Sequence, residues 1–453
     1  MRGSLSEEKI ELFERAPVGK AIASLAIPTV ISQLITTVYN LADTFFVGQL
    51  NDPDQVAAIA LALPVQLSMT ALANLFGIGG GTLFSRSLGE RDAESARKIS
   101  AFSIYGALAV TLLYVTLAAL CRERFLVLLG SPPELYVYTG AYVFWVLILG
   151  GIPSVFNMVA AHIIRAEGRS REASLGLSMG SILNILLDPI FIFVFGMELR
   201  GAAIATFLSN CVATVYFICY LRKIRHATVI SLALRFFTLD RRVVLPVLRL
   251  GLPSALQMLL SMVSNMVLNN VLAGFHKTAV AGIGICKKVD SIPTYVLLGI
   301  TQGVVPLLAY NHGAGNRERQ QQTLRYTIVL AVGFAVGSLL LLQIAPAAVA
   351  SCFIRNTQTV GHAAMFIRIH SCALPFTAVA FLMVCYFQAI GKSRHATVLS
   401  SIRKGVIDVP LMFAMNAVVP LYGPVMCQPI MDIVATVCAA LMYRQVKRSQ
   451  ITE

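Results

Sequence analysis

Residues 21–50 read AIASLAIPTVISQLITTVYNLADTFFVGQL. The run carries one charge, Asp43, and the next acid is Asp52. Eighteen or more mostly apolar residues are long enough to cross a bilayer as a helix. The stretch therefore reads as a membrane-spanning helix with an acid inside it. An Asp at the centre of such a helix costs roughly 2.5–3.5 kcal/mol on insertion scales. A residue that costly normally faces a cavity or a partner, and it points to a functional site.

The same pattern recurs along the whole chain. Of 453 residues, 57% are hydrophobic and 13% charged, against about 25% charged in soluble domains. Twelve candidate spans follow: 21–50, 54–86, 98–121, 134–165, 171–196, 201–221, 247–275, 278–309, 324–350, 358–389, 395–420 and 423–443. The fold class is an all-α polytopic membrane protein. The first 20 residues are charged and mostly polar, with no apolar core of a secretory signal. A net charge of +14 suggests nucleic acid, but the Lys and Arg sit in short loops between spans, so no nucleic-acid partner is expected. Nine Cys are scattered with no CxxC; they form neither a disulfide framework nor a zinc site and read as small apolar packers.

An even number of spans puts both termini on one side of the membrane. Among the 36 Lys and Arg, only Arg122, Arg124, Arg200, Lys277 and Arg355 fall in loops on the other side. By the excess of positive charge on the inner side, both termini are cytoplasmic. The expected organisation is a cytoplasmic segment 1–20, an N-lobe 21–221, a basic linker 222–246, a C-lobe 247–443 and a cytoplasmic tail 444–453.

The two halves resemble each other. LAIP (25–28) recurs as LGLP (250–253). Asn40 and Asn265 each follow the Pro of that motif by the same distance, and Gly79 and Gly89 are spaced like Gly303 and Gly313. AEGRSREA (166–173) recurs as AIGKSRHA (389–396). Each copy holds six spans, so the copies share one orientation. Such parallel repeats, related by an axis along the membrane normal, occur in secondary transporters that bind substrate between the halves.

From about Leu12 to Arg444, this ordered set of motifs resembles the multidrug and toxic compound extrusion (MATE) family. The resemblance rests on LAIPTVISQLITTVYNLADTFFVGQL, the glycine pair closing span two, and the RAEGRSR and QAIGKSR copies. It implies two pseudo-symmetric six-helix lobes forming a V-shaped cleft. It also implies export driven by inward H⁺ or Na⁺, with no cofactor beyond that coupling ion, and a monomer. One branch of the family uses a Glu in span seven and an Asp in span ten; here span seven offers Gln257 and Asn265, and span ten Arg368 and His370. The DinF-like branch uses an Asp in span one, Asn-x-x-x-Asp in span five and a Thr in span six. This chain matches it at Asp43, Asn184, Asp188 and Thr206.

Helix geometry supports that set independently. Asp43 and Asp188 each precede an outer loop by about eight residues, which places both about 12 Å below the outer surface at 1.5 Å per residue. Asn184 lies one turn below Asp188 on the same face, and Asn40 one turn below Asp43, as a supporting donor. Pro189 frees a carbonyl in span five. These oxygen ligands suit H⁺ or Na⁺ and no softer metal. Two carboxylates in a low-dielectric cavity resist ionising together, so a proton or Na⁺ is their natural bridge. By this reading the N-lobe cavity leans negative, and the C-lobe cavity, with five positive and three negative charges in its spans, leans positive.

The C-lobe spans contain Lys287, Lys288, Asp290, Arg403, Lys404, Asp408 and Asp432. Lys287 with Asp290, and Lys404 with Asp408, share helix faces and are expected to neutralise each other in a structural network coupling spans eight, ten and eleven. GIGGG (77–81) precedes no GK[ST], so it reads as close helix packing and not a phosphate loop. No ATP-binding motif supports a primary pump. An intramembrane aspartyl protease is disfavoured, because the second acid lies in NILLDPIF and not in GxGD. The expected function is a secondary antiporter in the bacterial inner membrane that exports amphipathic organic compounds, cationic ones first, with zwitterionic and anionic amphiphiles left open by the opposite leanings of the two lobes. Its partners are a small-molecule substrate and the lipid bilayer. A flippase for lipids or lipid-linked precursors, built on the same plan, is the alternative.

Overall fold

The computed structural model describes residues 7–50 and 52–452. Residues 1–6, the loop position Asn51 and Glu453 lie outside the described residues. Among the described residues every regular element is a helix. Spans one to three are Val18–Gly48, Pro53–Gly89 and Ala93–Leu120. Span four pairs Pro133–Leu149 with Gly151–Ala166, and spans five and six are Ser170–Val194 and Glu198–Lys223. Spans seven to nine are Arg241–Ala273, Lys277–Gly313 and Arg317–Ile344. Span ten pairs Thr357–Ser371 with Leu374–Ala389. Span eleven pairs Ser393–Arg403 with Asp408–Val418, and span twelve is Gly423–Thr452.

Among the described residues, nine helices are individually long and apolar enough to cross a membrane, and the two bent pairs bring the number to eleven. Span eleven falls short because it breaks at Lys404, with Gly405 in a left-handed conformation (φ +86°). Span seven starts six residues before the expected 247. Asp240 extends it by capping the helix through the Arg242 amide at 2.9 Å.

The internal repeat is visible in the backbone. Span four bends by 48° and span ten by 47°, at matching places in the two halves. The motif glycines Gly168 and Gly391 both adopt positive φ, +89° and +77°. That left-handed turn favours glycine, and it lets the chain leave one span and start the next within three residues.

Glycines also make the seam between the halves. Span two packs against span seven, and span one against span eight. A side chain at Gly79 would run into the Val247 carbonyl, and one at Gly303 would come within 2.7 Å of the Ala26 Cα. At the end of the seam, Gly89 faces the Tyr310 carbonyl and Gly313 the Arg86 carbonyl. Overpacking a site of this kind costs about 1–3 kcal/mol. Gly89→Ala is therefore expected to lower the temperature at which purified protein loses monodispersity. Gly284→Ala, where a methyl group meets nothing within 4 Å, is expected to leave it unchanged.

The N-terminal segment straps this end across both halves. Phe13 stacks on Tyr310 with ring centroids 4.6 Å apart, and Arg319 donates to the carbonyls of Leu12, Phe13 and Ala16. Lys9 pairs with Glu167 of the other half at 2.9 Å.

Candidate functional site

Between the halves lies a cavity of about 460 Å³, walled by residues from spans one, two, four to eight, and ten. Its wall is mixed. Met69, Met158, Met258 and Phe381 supply adaptable apolar surface. Gln33 of span one donates to Gln302 of span eight at 3.5 Å, linking the halves. Asn157 donates to the Asn210 carbonyl at 2.9 Å and accepts from the Thr214 hydroxyl at 2.8 Å. Among the described residues no Asp or Glu lines the cavity, and Arg165 is the one Lys or Arg that does. The expectations that the N-lobe cavity leans negative and the C-lobe cavity positive are therefore corrected. The two N-lobe acids lie behind the wall, and an arginine counted from the sequence with the loop charges lies in it.

Two of the expected site residues, Asn184 and Thr206, belong to the wall. Asp188, one helical turn from Asn184, is fully buried (0% exposed). With its amide oriented to satisfy both neighbours, Asn184 donates to Asp188 Oδ2 at 2.8 Å. It then accepts from the Thr206 hydroxyl at 3.2 Å and from the Thr206 amide at 3.1 Å. Asp43 is half-buried, and its Oδ1 is sealed from solvent with no hydrogen-bond partner. Span one, which carries Asp43, packs against span five, which carries Asp188. Immediately after Pro189 the chain winds as a π-turn, Ile190–Val194. Hydrogen bonds thus join Asn184, Asp188 and Thr206, and Asp43 lies on span one, which packs against span five.

Asn40 takes a different place from the expected one. It is exposed in the cavity wall and makes no hydrogen bond to Asp43. The neighbouring Tyr39, also in the cavity wall, stands one full turn (i, i+4) from Asp43 instead. Tyr142 is buried and accepts from Gln66 at 2.7 Å. The i, i+4 spacing makes Tyr39 legible in the sequence, whereas nothing local points to Tyr142.

The C-lobe charges pair differently from expectation. Among the described residues, neither Lys287–Asp290 nor Lys404–Asp408 forms an ion pair. Asp290 instead faces His370 of span ten at 3.4 Å and accepts from Thr294 at 3.3 Å. Lys404 and Asp408 stand on opposite sides of the break in span eleven, so the i, i+4 rule does not apply. Lys404 donates to Gln428 and Asp408 accepts from Ser264. Arg403, stacked over Phe381 at 4.0 Å, pairs with Asp432, which also accepts from Thr377 and Gln428. Lys287 is half-buried and Lys288 exposed. The network reaches spans seven and twelve, beyond the three spans expected.

Twelve helices in two repeated halves around a polar, Met-bearing cavity define a polytopic membrane transporter. The family model MatE matches twice, at residues 28–190 and 253–414, and the chain belongs to that family. It is 30% identical over 439 residues to the multidrug export protein MepA of Staphylococcus saprophyticus, covering 97% of this chain and 96% of that protein. MepA of Staphylococcus aureus strain MRSA252 is likewise 30% identical, over 440 residues. A solved multidrug resistance MATE transporter of the MOP superfamily, in an outward-facing conformation, superposes with a TM-score of 0.92 at 26% identity, covering 99% of this chain and 100% of that one. A MATE protein in the bent conformation gives 0.87 at 26% identity, over 98% and 99%.

Proposed function

We propose that the protein is an antiporter that exports amphipathic organic compounds, cationic ones among them, driven by H⁺ or Na⁺ taken up at Asp43, Asn184, Asp188 and Thr206. The reading places it in the bacterial inner membrane as a monomer with both termini cytoplasmic, acting on its substrate by transport and not by chemistry. One observation supports the coupling site: a buried carboxylate, an amide that bridges it to the cavity wall, and a second carboxylate with a sealed, partnerless oxygen on the helix packed against theirs. A proton or Na⁺ supplies the missing partner and relieves the repulsion between the acids.

Asn184 and Thr206 face the acids on one side and the cavity on the other. A cation that draws their oxygens towards the acids therefore alters the wall against which substrate rests. Coupling follows because ion and substrate favour different arrangements of the same side chains.

The test is transport by the full chain in sealed vesicles loaded with a fluorescent cationic dye. An imposed Na⁺ or pH gradient is expected to drive the dye against its own gradient. Dye movement at the same rate with and without both ion gradients would remove the antiport reading.

A further inference from the structure

The geometry points to an anion-recognition subsite at Arg165 and His162, so that the exported compounds include amphiphiles carrying a carboxylate or phosphate ester. This inference rests on reading the central cavity as the substrate cavity. Arg165 lies near the end of span four, is 4% exposed and belongs to the cavity wall. Among the described residues it has no ion-pair partner. The nearby Glu167 is engaged by Lys9 at 2.9 Å and Arg169 at 3.2 Å. The Arg165 Nε is sealed from solvent with no hydrogen-bond partner. A buried guanidinium normally has a carboxylate or an equivalent acceptor, because an unpaired buried charge is costly. The C-terminal end of the helix offsets part of that cost but supplies no acceptor for the Nε proton.

The surroundings are arranged for a ligand and not for a resident partner. Arg165 Nη1 lies 3.3 Å from His162 Nδ1. Arginine only donates, so Nδ1 accepts and the imidazole proton sits on Nε2, a second donor beside the guanidinium. A side chain at Gly77 would come within 2.8 Å of the His162 ring, so that glycine makes room for the imidazole. The corresponding residue of the second repeat is Gln388. Its amide nitrogen is committed to the Leu250 carbonyl and Ser254. The positive charge is therefore confined to one side of the cavity. With no acid in the wall, an incoming anion meets one cation and no repulsion, and the planar guanidinium suits a bidentate carboxylate or phosphate. The same compound's cationic group is then left to the far side of the wall, towards Asp43 and Asp188.

The test uses two dyes that differ by one charge, rhodamine B and its ethyl ester, with binding read by fluorescence anisotropy on the purified full chain. Arg165→Gln is expected to weaken binding of rhodamine B at least about tenfold, the value of a charge-assisted hydrogen bond. Affinity for the ester should stay within about twofold, which also reports that the variant is folded. Arg165→Lys should recover part of the loss. Equal weakening of both dyes, or unchanged binding of rhodamine B, would overturn the subsite. Failure of wild-type protein to bind either dye would overturn the substrate cavity and the inference with it. Displacement of rhodamine B by dioctanoylphosphatidylglycerol would name a lipid headgroup as the natural anion; without displacement, a free organic acid fits the site.

Discussion

Asp188→Asn is expected to abolish gradient-driven export while leaving the protein folded and able to bind substrate. Asparagine keeps the shape and can still hydrogen-bond Asn184, so the loss isolates the charge. Coupling between two sites is commonly 5- to 150-fold in affinity, and a carboxamide, unable to take up a proton or attract Na⁺, removes that leverage. Substrate binding survives because Asp188 lies behind the cavity wall and not in it. Asp43→Asn should behave alike, since Asp43 is the other acid with a sealed oxygen and its helix packs against span five. Tyr39→Phe should weaken coupling less, because it removes one hydroxyl from the wall near Asp43 in sequence and no charge. The measurement is dye movement in vesicles beside dye binding in detergent. Full gradient-driven transport by Asp188→Asn would rule out the N-lobe coupling site.

What the sequence makes legible divides by physical range. Helix periodicity and hydropathy act locally, so the spans, the linker and the repeat can be read from it. Asn184 and Asp188 are one turn apart on one helix, and their shared face follows from spacing alone. Asp43 lies on another helix, so its place beside them rests on equal depth and oxygen chemistry and not on spacing. The C-lobe pairs fail for a comparable reason. Spacing predicts neighbours only along an unbroken helix, and Gly405 breaks span eleven between Lys404 and Asp408. Arg165 is hidden differently. It sits at a span end where positive charge is expected on topological grounds, and only the three-dimensional wall shows that it faces a cavity. Tyr142 meets Gln66 of span two from span four by tertiary packing, which leaves no periodic trace.

Breaking the Arg403–Asp432 pair is expected to be the largest single loss of stability in the C-lobe. Arg403 is 3% exposed and Asp432 is fully buried, so neither charge has water to fall back on. Removing one partner from a buried pair typically costs about 3–5 kcal/mol, because the other charge is stranded. Arg403→Leu strands Asp432, with only the Thr377 hydroxyl, the Gln428 amide and whatever charge Lys404 supplies to hold it. It also removes the guanidinium stacked on Phe381, itself a cavity residue. Asp432→Asn strands Arg403 in turn but keeps the hydrogen-bonding shape, so its cost should be smaller. The double variant Arg403→Leu/Asp432→Leu leaves no unpaired charge. Replacing both members of a buried pair by apolar residues is often neutral, so it should regain much of what Arg403→Leu alone loses. The loss of monodisperse full chain on heating measures all three. Ion dependence of transport by the double variant should match wild type, since the pair lies outside the cluster at Asp43 and Asp188. A double variant that folds well yet transports without regard to either ion gradient would move the coupling site into the C-lobe.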